Sequence, residues 1–232
     1  MINIQPIEKS LKSEGTYLNV HSLFYTIQGE GPFSGMPAVF IRLAGCNLQC
    51  PSCDTEYTQG RKEIEAVVLA KMAQDLFPVT NKEQLVVITG GEPFRQNIIP
   101  LIEHLQDRDM TVQIETNGTL APQEFLPSTV FVVCSPKTGK VAEALLPHID
   151  AYKYVLDAES VDEDGLPIRA LNHTAAPRVA RPHNGFDGPV FLQPMDAKDS
   201  VVNARNLAAV KHSCMLHGFI LQLQIHKLIG VE

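Results

Sequence analysis

Three cysteines, Cys46, Cys50 and Cys53, stand at Cys-x3-Cys-x2-Cys spacing in the stretch Cys46-Asn47-Leu48-Gln49-Cys50-Pro51-Ser52-Cys53-Asp54-Thr55. They follow the apolar run Val39-Phe40-Ile41-Arg42-Leu43, which reads as a strand buried on both faces. The trio therefore occupies the loop leaving that strand's C-terminal end. Three thiolates on one short loop can hold three corners of a cube-shaped cluster. Iron–sulfur clusters are normally held by four thiolates, so one iron would remain open to a substrate or cosubstrate. The competing reading is a structural zinc site completed by His21, His183 or His226, or a set of buried thiols. Zinc sites usually show paired Cys-x2-Cys hooks far apart, and no second hook exists here, so the spacing favours the cluster.

The remaining cysteines, Cys134 and Cys214, bring the count to five. An odd count argues against a disulfide framework. The opening residues, Met1-Ile2-Asn3-Ile4-Gln5-Pro6, lack the basic segment and apolar core of a secretory signal. No apolar run approaches the ~20 residues of a membrane span. The expectation is a cytoplasmic protein with no membrane partner. A formal net charge of −7 without a Lys/Arg cluster argues against nucleic-acid binding by phosphate neutralisation. It leaves room for a small anionic substrate held by one or two local cations.

With 232 residues and 44% apolar content the chain is expected to form one domain over 21–232, preceded by a polar tail or arm over 1–20. A short strand, Leu23 to Ile27, runs into a turn with two glycines around a carboxylate, Gln28-Gly29-Glu30-Gly31. Ile64 to Phe77 has helical spacing, with Val68, Leu69, Met72 and Leu76 expected on a core stripe and Pro78 as the stop. Further strands are read at Leu85–Thr89, Thr111–Glu115, Val130–Cys134, Ala151–Leu156, Pro189–Gln193 and Phe219–Lys227. Helices are read at Ile98–Leu105 and at Ser200–His212, the latter capped at Asp199 or Ser200. Residues 157–189 read as loop with some helix. Strand–helix alternation predicts an α/β sheet of about six parallel strands, open or curled into part of a barrel. Right-handed crossovers would gather the strand-end loops on one rim. Those loops carry Gln28, Glu30, the cysteines, Gly90, Gly91, Glu115, Asn117, Ser135, Lys137 and Gln193. Arg42, near the end of a buried strand, needs an acidic partner or an anionic ligand.

The cysteine spacing is the signature of the radical S-adenosylmethionine enzymes. Ile27-Gln28-Gly29-Glu30-Gly31, Phe40-Ile41-Arg42-Leu43, Cys53-Asp54-Thr55, Ile88-Thr89-Gly90-Gly91-Glu92-Pro93, Glu115-Thr116-Asn117-Gly118, Ser135-Pro136-Lys137, Gln193-Pro194 and His226-Lys227 follow in order. Together they resemble the 7-carboxy-7-deazaguanine synthase family of that superfamily, from about Leu23 onward. The resemblance implies an incomplete parallel (β/α) barrel working as a homodimer. The substrate would be 6-carboxy-5,6,7,8-tetrahydropterin and the product 7-carboxy-7-deazaguanine, with ammonia lost, in queuosine-type deazapurine biosynthesis. Cys46, Cys50 and Cys53 would ligate a 4Fe–4S cluster whose open iron chelates S-adenosylmethionine. Electrons would come from a flavodoxin-like or other donor.

In the resemblance Ile27, Gln28, Gly29, Glu30, Arg42, Thr89 and the terminal carboxylate at Glu232 would meet the pterin. Ser52, Cys53, Asp54, Gly91, Glu115, Ser135, Pro136, Lys137 and Gln193 would meet S-adenosylmethionine. Thr55 would offer its hydroxyl to Mg²⁺, which favours oxygen ligands. A glycyl-radical activase would share the trio and the Gly-Gly-Glu-Pro loop but would not need Gln28-Gly29-Glu30 or Thr55. A non-catalytic zinc-binding interaction module is the reading from another class.

Overall fold

The computed structural model describes residues 2–174 and 176–231. The apolar runs form one nine-stranded sheet in the order β3-β1-β2-β4-β5-β6-β7-β8-β9. The strands are β1 (Tyr17–Ile27), β2 (Pro37–Leu43), β3 (Lys62–Glu65), β4 (Leu85–Gly90), β5 (Thr111–Thr116), β6 (Phe131–Cys134), β7 (Ala151–Leu156), β8 (Val190–Pro194) and β9 (Ile220–Leu221). β1 runs antiparallel to β2 and β3, and every other pairing is parallel. This is the expected incomplete parallel barrel, widened at one edge by the β1–β3 ribbon. In β4, Leu85, Val86, Val87 and Ile88 are all buried, as a strand covered on both faces requires.

The two faces of the sheet differ. The outer face joins helices α1 (Ala66–Leu76), α2 (Ile99–Gln106) and α3 (Ser200–His217) in the main core. The inner face is apolar only towards the strand starts, at Ala38, Leu85, Val87, Val133, Ala151 and Phe191. Two or four residues further along the same chain segments stand Arg42, Thr89, Ser135, Lys153 and Gln193, which line a cavity together with Glu115 of β5. Period-two alternation keeps these residues on one face. The sheet therefore has an apolar floor and a polar mouth.

Several local expectations need correction. In α1 the buried residues are Ala66, Leu69, Ala70 and Ala73, whereas Val68, Met72 and Leu76 are exposed. The helix approaches the sheet through its alanines, because small side chains permit the closer contact. Strand–helix alternation is also incomplete. Among the described residues no helix lies between β5 and β6 or between β7 and β8, and only a 3-10 turn, Glu143–His148, joins β6 to β7. Prolines 122 and 127 interrupt the first connection and Pro167, Pro177 and Pro182 the second.

Over 157–189, Leu166, Ala170 and Val179 are buried in place of a helix face. Arg181 pins that segment through Asp164 at 2.6 Å and Asp162 at 2.9 Å. α3 begins as expected, with Asp199 accepting from the amides of Val201 and Val202, but runs on to His217. Cys214 therefore lies in its last turn. The expected final strand stops at Leu221, and His226 and Lys227 belong to a short helix, α4 (Ile225–Ile229).

Candidate active site

The site is built where the loops after β2 and β4 touch. A Cβ on Gly90 would stand 2.1 Å from the Leu43 carbonyl oxygen, and one on Gly91 2.1 Å from that of Gly45. Only glycine permits this approach of backbone to the cysteine loop. Glu92 then ties the β4 loop to the end of β5. Its carboxylate accepts from the Phe94 amide at 3.1 Å, the Thr116 hydroxyl at 2.8 Å and the Asn117 amide at 2.8 Å. Glu92 is fully buried, and burial pushes its acid up to about 7. Asn117 in turn points its amide at Asn47 Oδ1, 3.0 Å away, and at Cys46 Sγ, 3.9 Å away.

Cys46 and Cys50 are buried and Cys53 is half-buried, all three as free thiols. Burial raises Cys46 to about 12 and Cys50 to about 11, so both keep their protons at neutral pH until a metal displaces them. The Leu48 amide donates to Cys46 Sγ at 3.4 Å, the kind of bond that tunes a cluster ligand. Among the described residues no three His, Cys, Asp or Glu side chains converge closely enough to hold one metal ion. The histidines weighed for zinc are engaged elsewhere: His21 pairs with Glu56 at 2.6 Å and His183 meets the Tyr152 hydroxyl at 3.2 Å. His226 packs its ring against Gly29.

A cavity of about 350 Å³ opens over the cysteines. Its walls include Ile27, Gln28, Glu30, Arg42, Ser52, Asp54, Thr55, Thr89, Gly91, Glu115, Ser135, Lys137 and Gln193. Gly29 stands just behind, where a Cβ would be 2.0 Å from His226 Nδ1. Pro136 is buried between two lining residues, and Glu232 lies outside the described residues. Arg42 lies over the Phe24 ring at 5.2 Å, a cation–π contact. Lys137 donates to Ser135 O at 2.6 Å, and burial pushes its ammonium down. No carboxylate among the described residues pairs with it, which suits it to an anionic ligand.

The sequence reading missed Lys153. Its ammonium on β7 pairs with Glu30 and, at 3.1 Å, with Glu115, all three side chains being less than a fifth exposed. Burial opposes the charge on Glu30, but Lys153 and the Gln224 amide overcome it and hold the acid well below the usual carboxylate range. Gln28 and Gln113 donate to the other oxygen of Glu115, at 3.1 and 3.2 Å. The signal was present: Lys153 is the single charged residue in the apolar run Ala151–Leu156.

The C-terminal segment closes the mouth. Gln222 exchanges two hydrogen bonds with the Gly31 backbone, at 2.7 and 3.3 Å. Gln224 donates to Glu30 at 2.7 Å, and Lys227 reaches Asp54 at 2.9 Å and Asp196 at 3.5 Å.

Comparison with known proteins agrees with this geometry. Residues 27–126 match the family model of a 4Fe-4S single cluster domain. The 7-carboxy-7-deazaguanine synthase of Rickettsia prowazekii (strain Madrid E) is 41% identical over 100% of this chain and 96% of its own length. That of Rhodospirillum rubrum is 40% identical over 94% of each. The crystal structure of QueE from Escherichia coli shares the fold with a TM-score of 0.64 at 22% identity, covering 89% of this chain and 93% of its own. With cysteine loop, cavity and full-length similarity in agreement, the chain belongs to the 7-carboxy-7-deazaguanine synthase family.

Proposed function

We infer that the chain converts 6-carboxy-5,6,7,8-tetrahydropterin to 7-carboxy-7-deazaguanine with loss of ammonia, as a radical S-adenosylmethionine lyase of queuosine-type biosynthesis. The observation that carries this is the meeting of the cysteine trio, the Gln28–Glu30 turn and the polar ends of β2, β4, β5, β7 and β8 in one cavity. Bound there, the cluster and S-adenosylmethionine supply one-electron chemistry that removes hydrogen from C6 of the pterin. The three thiols form the donor set for such a cluster, leaving one iron open. Lys137 is suited to the carboxylate of S-adenosylmethionine, flanked by Ser52, Asp54, Gly91, Glu115, Ser135, Pro136 and Gln193.

Arg42 offers a planar fork to the substrate carboxylate. Ile27, Gln28, Gly29, Glu30 and Thr89, with the carboxylate of Glu232, hold the heterocycle. Phe24, Phe40 and Leu48 supply apolar wall and keep water from the reacting atoms. Thr55, beside the cysteines, would offer its hydroxyl to Mg²⁺, which would supply positive charge for the substrate carboxylate. The enzyme works in the cytoplasm as a homodimer fed by a flavodoxin-like or comparable donor. No helix among the described residues is long and apolar enough to cross a membrane.

The test is anaerobic reconstitution with iron and sulfide, then assay with the pterin, S-adenosylmethionine, reductant and Mg²⁺. The deazaguanine product is expected, abolished in Cys50→Ala and weakened in Thr55→Ala. S-adenosylmethionine cleavage that leaves the pterin intact would sink the substrate assignment.

A further inference from the structure

Apart from a bridge between Ile7 and Cys46, residues 2–16 form no regular element, yet they are bound closely to the cysteine loop. The Asn3 amide donates to Pro51 O at 2.9 Å and its side chain to Cys50 O at 3.1 Å. The Gln5 side chain donates to Thr55 O at 2.8 Å and accepts from the Tyr57 amide at 2.8 Å. It thus pairs with loop backbone as a strand would. The Glu8 amide donates to Cys46 O at 2.7 Å. One stretch of chain therefore fixes the carbonyls of two of the three cysteines and of Thr55.

Charge secures the same contact. Arg95, 1% exposed, lies beneath the loop and donates to Ala44 O at 2.8 Å. A Cβ on Gly45 would stand 2.5 Å from its guanidinium. The carboxylate that faces Arg95 is Glu8, at 3.4 Å, which also binds Arg61 at 2.6 Å. A buried guanidinium is costly unless paired, so the arm also completes the underside of the loop.

We propose that residues 2–11 are a strap that holds the cluster loop in its ligating shape, with Asn3 and Gln5 as positioning residues for the thiols. The loop from Ala44 to Gly60 has no helix or strand of its own. Its carbonyls would otherwise turn to water, and the directions of the Cα–Cβ bonds at Cys46 and Cys50 would turn with them. The strap also covers the loop from outside, where Cys46 and Cys50 are each 7% exposed. A tighter loop slows the opening through which iron is lost.

The proposal rests on the reading of the trio as cluster ligands, and its test separates the two. Full-length protein and an Asn3→Ala/Gln5→Ala variant are reconstituted anaerobically, and loss of the cluster's visible absorption is followed under an iron chelator. Bleaching is expected about tenfold faster in the variant, each lost hydrogen bond contributing a few-fold. In the metal-free proteins, amide exchange is expected to rise over residues 46–57 and to stay unchanged in β4 and β5. KM for the pterin is expected to hold.

Should the double variant fail to fold, Gln5→Glu reads the same contact. It keeps the bond accepted from Tyr57 and sets a carboxylate oxygen against Thr55 O, so it too is expected to bleach faster. Variants that bleach and exchange like the parent would overturn the strap. A parent chain that takes up no iron would overturn the cluster reading itself.

Discussion

Replacing Lys153 by methionine removes the only described cation between Glu30 and Glu115 while keeping most of the volume. Breaking a buried ion pair at one partner costs about 3–5 kcal/mol. The structure also sets a ceiling, because a buried carboxylate without its cation takes up a proton. From the ordinary value of 4.5, protonating Glu30 at pH 7 costs about 3.4 kcal/mol at 1.36 kcal/mol per unit. In the parent, Glu30 is depressed and stays ionised in both folded and unfolded chains between pH 5 and 7, so it contributes no slope there.

In the variant the folded carboxyl holds a proton that unfolding releases, so stability falls as pH rises. The destabilisation should therefore be about 3–4 kcal/mol at pH 7 and shrink to about 1 kcal/mol near pH 5. Urea unfolding of the metal-free proteins at pH 5, 6 and 7, followed by circular dichroism, measures it. Adding Glu30→Gln to Lys153→Met should recover stability at pH 7. A difference below about 1 kcal/mol at pH 7, or one independent of pH, would refute the claim that this lysine holds Glu30 as an anion.

Glu92 gives a slope in the parent itself. Its raised acid, about 7 against 4.5, means that the folded chain holds the proton more tightly, so stability is lost as pH rises through that window. In Glu92→Gln that slope disappears, and the parent-minus-variant stability difference should fall by about 3 kcal/mol between pH 4.5 and 7. Two glycine substitutions should separate cluster from substrate. Gly91→Ala drives a methyl into the Gly45 carbonyl and should abolish iron uptake, measured as iron per chain. Gly29→Ala displaces His226 instead, and should keep the iron while lowering kcat/KM for the pterin by about a hundredfold.

β2 and β4 to β8 were legible because a parallel sheet covered on both faces demands near-continuous apolar runs, whereas the antiparallel edge strand β3 has no such run and its last two residues, Ile64 and Glu65, were read as the start of a helix. The strand-end residues followed from those runs, since right-handed crossovers leave one rim for the loops. The failures have physical causes. In α1 two apolar stripes compete at helical spacing, and weighting by hydrophobicity selected Val68, Met72 and Leu76 over the alanines that actually pack. From Phe219 to Lys227, Leu221, Leu223 and Ile225 alternate with Gln222 and Gln224 as a strand would. The glutamines instead bind the Gly31 backbone and Glu30, contacts about 190 residues away that no local pattern displays. Residues 2–16 have no periodicity because their order is borrowed from the cysteine loop. Lys153 was passed over because its two carboxylate partners come from distant strand ends.

The two closures of the site differ in when they can be made. The arm meets the cysteine loop across separations of at most 54 residues, whereas Gln224 meets Glu30 across 194. At ~5–20 residues per second of synthesis, that longer interval corresponds to about 10–40 s on the ribosome. A nascent chain thus carries its cysteines and the segment that embraces them well before it carries Gln222, Gln224 and Lys227, which close the mouth. In the order of translation the cysteine loop and its arm precede the residues that cover the mouth.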